Sequence, residues 1–545
     1  MLFNSYGFIF VFLPITFLGA FFLGKRTQQG AVLWLGVASL AFYAYWNPIF
    51  VALLLATIIC NYAVARKLSQ LQSEPSSGSA KPVLVIAITL NLLLLGYFKY
   101  TNFFIGVLAD SIGATFQPFH ILLPLGISFF TFTQIAFLVD VSRGFAHEHN
   151  FARYLLFVTF FPHLIAGPVL HHKQMMPQFS ESTNFRFQAD NVCVGLSIFV
   201  LGLAKKIFIA DSFGEIANPI FDTGTATHSL QFFEAWVGAL AYTLQLYFDF
   251  SAYSDMAIGL SLMFNIRLPL NFNSPFKATS VIDFWQRWHM SLTKYIGEYL
   301  YTPISLKLMR RGLGKPFLIE TFYTLVLPTL ITFFIIGLWH GTNYTVIVFG
   351  LLHGGYLIIN HWWRLFKKKL AFTKSNSRIA RMSSCALTYC CVVISLVFFR
   401  ADTVAMATAI CSAMAGLNGI SLPATFEPLV TALALNVSSL GLSFNGVFAN
   451  KLFTQAHWYI FLFLLVGHLI VWLLPNIHQF MYPYKIACED LGARPAIKRL
   501  EPHGMLGWLV WRPNALWACV LGSLLFAVVL AMASNKPSSF LYYQF

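Results

Sequence analysis

Two histidines stand in apolar, tryptophan-rich surroundings and define the chemistry open to this chain. His289 lies in Ser280-Val281-Ile282-Asp283-Phe284-Trp285-Gln286-Arg287-Trp288-His289-Met290-Ser291-Leu292, and His340 in Gly337-Leu338-Trp339-His340-Gly341. An imidazole held at hydrocarbon depth is unfavourable unless it finds a partner, so an ionisable group in such a segment marks a functional site. With an ordinary pKa of ~6.5, a neutral imidazole can take the proton of a hydroxyl as that oxygen attacks a carbonyl. This chemistry needs no protein nucleophile, and the sequence offers none of the usual kind. Gly126-Ile127-Ser128-Phe129-Phe130 and Gly441-Leu442-Ser443-Phe444-Asn445 both lack the closing glycine of a nucleophile elbow. Walker, GxGxxG and HExxH patterns are absent as well. Acyl transfer by direct attack on a thioester fits, with one histidine as base and the other polarising the carbonyl or orienting the acceptor. The reading from a different class is a transporter or flippase of acyl groups, with the histidines as a proton relay.

The elements that position these residues belong to an integral membrane protein. Hydrophobic residues make up 58% of the 545 and charged residues 10%, with 57 phenylalanines, proportions that a soluble core does not require and a multi-span protein does. The net charge of +15 does not indicate nucleic acid, because the basic residues fall in short clusters between apolar runs rather than along one stripe. Read as orientation signals, Lys25-Arg26, Arg66-Lys67 and the basic residues of the Pro475 to Pro513 connection (Lys485, Arg494, Lys498, Arg499, Arg512) face the cytoplasm, with the N-terminus periplasmic. Met1 to Gly24 reads as a retained first span. Gln72 to Ser79, rich in Ser with Pro75 and Gly78, reads as a solvated cytoplasmic loop. The eight cysteines contain no CxxC and read as buried free thiols, not as a disulfide framework or a zinc site. Counting apolar runs predicts an all-α polytopic fold of roughly ten to thirteen crossings plus re-entrant and in-plane helices. No β-barrel alternation or internal repeat is visible.

Around the first histidine, Ser280 followed by Asp283 predicts a helix N-cap, and Trp285, Trp288, Leu292, Ile296 and Tyr299 then recur on one face of an amphipathic helix. His289 shares that face, and taken alone it reads more plainly as a packed structural histidine than as a catalytic one. His340 closes the apolar run from Phe317 and precedes Gly341-Thr342-Asn343, a helix break from which a side chain can face a cavity. Both histidines are expected to line one continuous cavity walled by Trp339, Trp288 and nearby Phe residues. Asp249 and Asp255 fall about 240° apart round an ideal helix, so one lines the passage and the other bonds a neighbouring helix. Arg287 and Arg400 can hold a phosphate or carboxylate as bidentate donors; for Arg400, at the end of a span, snorkelling is the plainer reading. Asn271 and Asn273 bracket a pre-proline turn, where loop fixing is the plainer reading. His163, His171 and His172, around Pro162 and Pro168 with Lys173 beside them, either contact donor phosphates or sit in a solvated loop. His353 reads as helix packing.

A run of motifs carries a resemblance. Leu123-Pro124-Leu125-Gly126-Ile127-Ser128-Phe129-Phe130-Thr131-Phe132, Phe160-Phe161-Pro162-His163-Leu164-Ile165-Ala166-Gly167-Pro168, Asp249-Phe250-Ser251-Ala252-Tyr253-Ser254-Asp255-Met256-Ala257 and Asn271-Phe272-Asn273-Ser274-Pro275-Phe276 come first. The Trp-Gln-Arg-Trp-His segment, Leu338-Trp339-His340-Gly341, Phe398-Phe399-Arg400-Ala401 and Phe540-Leu541-Tyr542-Tyr543-Gln544-Phe545 follow in order. From first residue to last, the chain resembles the membrane-bound O-acyltransferase (MBOAT) family, and within it the bacterial branch that contains alginate O-acetylase. The resemblance implies a funnel of helices, with His340 matching the family's catalytic histidine and His289 its second histidine. Two departures touch the acceptor. The alginate enzymes carry a second Arg where this chain has Gln286, and Tyr299-Leu300-Tyr301-Thr302-Pro303 leads into Ile304-Ser305-Leu306-Lys307-Leu308-Met309-Arg310-Arg311 in place of Gly-Gly-Asn-Arg. Cellulose or another exopolysaccharide therefore stands beside alginate as acceptor.

The expectation is a single membrane-embedded acyltransferase domain over 1–545, with N-terminal spans in 1–110, a catalytic core in 120–400 and C-terminal spans in 401–545. Its catalytic residues are His340 and His289, and its substrate-binding residues are Asp255, Arg287, Trp339, Trp288 and Asn273, with no metal and no cofactor. By resemblance, acetyl-CoA or another acyl thioester arrives from the cytoplasm as a substrate, and a periplasmic acetyltransferase partner of an exopolysaccharide system completes the transfer. The expected location is the bacterial inner membrane. D-alanyl transfer to teichoic acid, from a carrier protein, is the alternative within the family.

Overall fold

The computed structural model describes the chain apart from residues 74–78, 147, 149, 223–229, 370–376, 433–441, 445–457, 482, 489–509, 535–537 and 542–545. Most of the Gln72 to Ser79 loop, the basic residues Arg494, Lys498 and Arg499, and the end of the terminal motif lie outside the described residues. What is described is helical. Among the described residues, the sheet is a parallel pairing of Ile420–Ser421 with Leu442–Ser443.

Among the described residues, eight helices are long and apolar enough to cross a membrane: Gly7–Gly24, Ile49–Ser73, Ala80–Ser111, Ala189–Phe221, Phe317–His340, Tyr344–Lys367, Arg378–Arg400 and Ala515–Ser534. Three shorter apolar helices, Ile127–Ser142, Val404–Met414 and Tyr459–Leu473, add to them. Large apolar side chains such as Leu18, Ile49, Leu93, Ile379 and Phe526 are exposed on these helices, the opposite of a soluble surface and the correct one for lipid contact. The cysteines depart from expectation. All eight are free, but none is buried, and Cys60, Cys193 and Cys519 are exposed on their helices.

The chain divides into two compact units. The first comprises Met1–Ala204, Ser251–Asn271 and Ile477–Gln544. Its core is aromatic, with Phe8, Phe42 and Phe161 in mutual ring contact, and it is pinned by a buried amide network in which Asn61 bonds both Asn91 and Gln134. In hydrocarbon such side-chain bonds satisfy groups that water cannot reach. After the helix Phe151–Thr159, residues Phe160 to His171 run as irregular backbone that is buried throughout. That matches a re-entrant segment, which is tolerated at depth only where protein encloses it.

The second unit comprises Lys205–Phe250 and Phe272–Asn476. Its centre is a helical hairpin of Leu327–His340 and Tyr344–Lys369. A Cβ on Gly337 would stand 2.4 Å from the Val346 carbonyl oxygen, and one on Gly350 2.2 Å from that of Phe333, so only glycine permits this approach. Phe232 to Met263 forms one continuous helix of 32 residues. Asp249 and Asp255 interrupt the apolar pattern without breaking the backbone, because both retain helical bonds while their side chains find partners.

Candidate active site

The expected amphipathic helix over Ser280 to Tyr299 is broken at its histidine. Ser280 does cap a helix: its Oγ accepts from the Asp283 amide at 3.1 Å, while the Asp283 carboxylate accepts from the Thr279 amide at 3.1 Å. That helix ends at Trp285. His289 adopts φ 43° and ψ 53°, in the left-handed region, and a second helix runs Met290–Ile296. A non-glycine residue there is held by its surroundings against an unfavourable backbone, a condition found at functional sites. His289 therefore does not lie on a helix stripe. It projects from a corner.

His340 ends Leu327–His340, and Gly341 continues in extended conformation, so this histidine also stands at a helix terminus, as its sequence neighbours predicted. Trp339 neighbours both rings. Its centroid is 4.7 Å from that of His340 and 6.4 Å from that of His289. Phe250 meets the His289 imidazole in a T-shaped contact at 4.8 Å, Phe272 lies 5.0 Å from Phe250, and Trp288 lies 5.1 Å from Phe272. Phe399 and Phe349 close on His340 at 5.2 and 5.9 Å. His289 and His340 are 1% and 8% exposed. Burial lowers the His289 imidazole to about 3, so it is neutral at physiological pH. A neutral imidazole with its basicity lowered this far can hydrogen-bond a hydroxyl or a carbonyl but is a poor base, which suits orienting a substrate better than taking its proton.

The other sequence candidates separate. Arg287 donates from Nε to Asp283 Oδ1 at 2.7 Å and from Nη1 to the Asn273 carbonyl at 3.3 Å. The Asn273 amide returns a bond to the Arg287 carbonyl at 2.9 Å, and Asn273 Oδ1 accepts from Asn476 at 3.2 Å. These bonds stitch the pre-proline turn to the corner that carries His289. Asp255 belongs to the first unit, where its carboxylate lies 3.7 Å from His478 Nε2. Arg400 places its guanidinium over the Phe221 ring at 5.7 Å.

His353 packs as expected, between Trp285 Nε1 at 3.3 Å and Ser395 Oγ at 2.8 Å. The solvated-loop reading of His163, His171 and His172 is incorrect, for all three are buried. His163 Nε2 bonds the Phe157 carbonyl at 3.1 Å, and His172 Nδ1 meets Asp140 at 2.9 Å. The irregular backbone around Pro162 and Pro168 folds inward and takes its imidazoles with it.

Sequence reasoning passed over Lys206. Its ammonium, 2% exposed, bridges Asp211 and Asp249 at 2.7 Å each from a π-helical turn, Lys205–Ala210. Asp249 precedes Phe250, the ring against His289. The available signal was a lysine pair inside an apolar run.

The model of the membrane-bound O-acyltransferase family matches residues 86–400, which include both histidine segments. The chain belongs to the MBOAT family. It is 40% identical to the peptidoglycan O-acetyltransferase of Helicobacter pylori, over 77% of this chain and 81% of that one. It is 38% identical to the protein named "Probable alginate O-acetylase AlgI" in Pseudomonas aeruginosa, over 76% and 75%. The teichoic acid D-alanyltransferase of Streptococcus thermophilus is 30% identical over 45% of this chain and 58% of its own. This MBOAT member is an O-acyltransferase of the acetyltransferase type and a multi-pass protein of the bacterial inner membrane.

Proposed function

We propose that this chain passes an acetyl group from a cytoplasmic thioester, acetyl-CoA as substrate, towards a hydroxyl on an envelope polysaccharide outside the cytoplasm. The observation that carries the reading is the contact of Trp339 with both His340 and His289, two imidazoles brought from separate helix termini into one aromatic cluster. His340 takes the proton of the acceptor hydroxyl as its oxygen bonds the acetyl carbon. The carbon–sulfur bond breaks, and the proton passes to the departing thiolate, leaving free thiol. His289 orients the acceptor or polarises the carbonyl, with Arg287 and Asn273 holding its corner. The reading requires a passage that reaches both rings from both sides of the membrane, with Trp339 and Trp288 among its walls. The relatives that act on peptidoglycan and alginate support a polymeric acceptor, and a polymer needs a periplasmic partner to complete the transfer. No cofactor enters this scheme.

The test is acetyl transfer in sealed membranes loaded on the cytoplasmic side with labelled acetyl-CoA. Label appearing on an outward hydroxyl acceptor, with loss of signal in His340→Ala, is the expected result. Turnover unchanged in that variant, or label delivered only from a carrier protein, overturns the assignment.

A further inference from the structure

Far from the two histidines in sequence, the first unit contains a cluster that acyl transfer does not use. Asp140 on the helix Ile127–Ser142 is fully buried, and His171 and His172, at the entrance to the helix His172–Ser180, are 8% and 7% exposed. His172 Nδ1 lies 2.9 Å, and His171 Nδ1 3.8 Å, from Asp140 Oδ2. One ligand atom from each residue falls within 4.8 Å of the others. A tetrahedron with bonds of ~2.0 Å has edges of ~3.3 Å, between the two measured separations.

The hydrogen bonding orients one ring for coordination. His172 Nε2 is 3.1 Å from the Phe145 carbonyl oxygen, which can only accept, so Nε2 carries the proton. In the neutral ring Nδ1 then presents its lone pair towards Asp140 Oδ2, so the 2.9 Å between them takes either a proton or a cation coordinated by both atoms. This is the arrangement by which a backbone carbonyl fixes the tautomer of a metal-binding histidine. A route in exists too. His172 lines a cavity of about 730 Å³ together with Glu148, Asn150, Arg153 and Lys173.

We propose that Asp140, His171 and His172 bind a divalent transition cation of the zinc class, with the remaining coordination position open to that cavity. Two imidazoles and one carboxylate suit zinc and disfavour calcium or magnesium, which take oxygen ligands. The site ties the re-entrant segment, which ends at His171 and His172, to the helix carrying Asp140.

The full-length protein, purified in detergent through a tag that contains no histidine and without chelator, is assayed for metal by mass spectrometry. Expected are about one equivalent of zinc per chain, a lower unfolding temperature after chelation and its recovery on adding Zn²⁺ alone. His171→Gln/His172→Gln reduces bound metal to background, and Co²⁺ in place of zinc gives the visible absorption of a tetrahedral site. Wild-type protein without metal, whose unfolding temperature neither chelator nor Zn²⁺ moves, overturns the proposal and leaves a protonated His172 paired with Asp140. Metal retained in the double variant overturns it as well. The chelation measurement needs no variant, so misfolding of the double variant does not shelter the proposal.

Discussion

Trp285 and His353 are joined by a hydrogen bond that fixes the tautomer of a buried imidazole. The indole Nε1–H can only donate, so His353 Nδ1 accepts at 3.3 Å, and Nε2 carries the proton that it gives to Ser395 Oγ at 2.8 Å. The hydroxyl proton continues to the Val392 carbonyl. Every group in this chain is satisfied, which marks His353 as an anchor between the Trp285 corner and two helices. His353→Ala leaves the indole N–H without its acceptor and the Ser395 hydroxyl without the donor it accepts from, and is expected to destabilise the fold by about 1–3 kcal/mol. His353→Gln, which can donate and accept, restores part of that. Thermal unfolding in detergent measures both, and acetyl transfer per folded molecule should remain within a few-fold of wild type.

His340→Ala is expected to lower acetyl transfer by ~10²–10⁴-fold, the range for loss of general-base catalysis, with folded yield maintained. The assay is label transfer from acetyl-CoA in membranes, normalised to folded protein. A loss matched by loss of folded protein would make His340 a packing residue.

At His289 the backbone governs the choice of variant. Asn tolerates the left-handed region better than other L residues without ring or branch, so His289→Asn keeps both the corner and a hydrogen-bonding group. It is expected to retain measurable transfer. His289→Val, β-branched at φ 43°, is expected to lower folded yield as well as activity. If His289→Asn is as inactive as His340→Ala while folding normally, the two imidazoles act as one catalytic pair.

Removing only the Lys206 ammonium leaves Asp249 charged and enclosed. Lys206→Met is expected to destabilise the protein by about 3–5 kcal/mol, visible as loss of folded yield. Lys206→Met/Asp249→Leu removes both buried charges and is expected to recover much of that loss, because Asp211 keeps 31% of its side-chain surface exposed. Size-exclusion profiles of the two variants give the comparison.

Acid should loosen the re-entrant segment. Burial lowers His163 to about 4 from an ordinary value of 6.5, so its neutral form is favoured in the fold. The corresponding stability is complete above pH ~6.5 and is lost as pH falls from there towards 4, by an amount on the order of 2–3 kcal/mol. His163→Gln, which can still donate to the Phe157 carbonyl, should show a smaller fall in unfolding temperature between those limits. Parallel curves for the two proteins would assign the acid sensitivity to other groups.

Membrane class, family and the two histidine segments were legible in the sequence, because each depends on local quantities. Apolar runs of span length, the Ser280 and Asp283 cap and the glycine after His340 all act within a few residues of themselves. The lysine pair at 205 and 206 was visible too, but its carboxylate partners were not, since Asp249 reaches Lys206 only when two distant helices pack.

Periodicity placed His289 on a continuous helix face, and the fold instead sets it at a left-handed corner. A helical repeat in sequence assumes unbroken backbone. The break is maintained by contacts from elsewhere, the Asn273 turn bonded to Arg287 and the Phe250 ring against the imidazole. The same limit applied to His163, His171 and His172, whose polar character suggested water until the re-entrant backbone enclosed them. What the sequence alone determined were the residues able to do chemistry and the solvent they must live in. Which of them meet was decided only by the tertiary structure, because hydrogen bonds and ring contacts act over a few ångströms and bring together residues that the chain separates by tens to hundreds of positions.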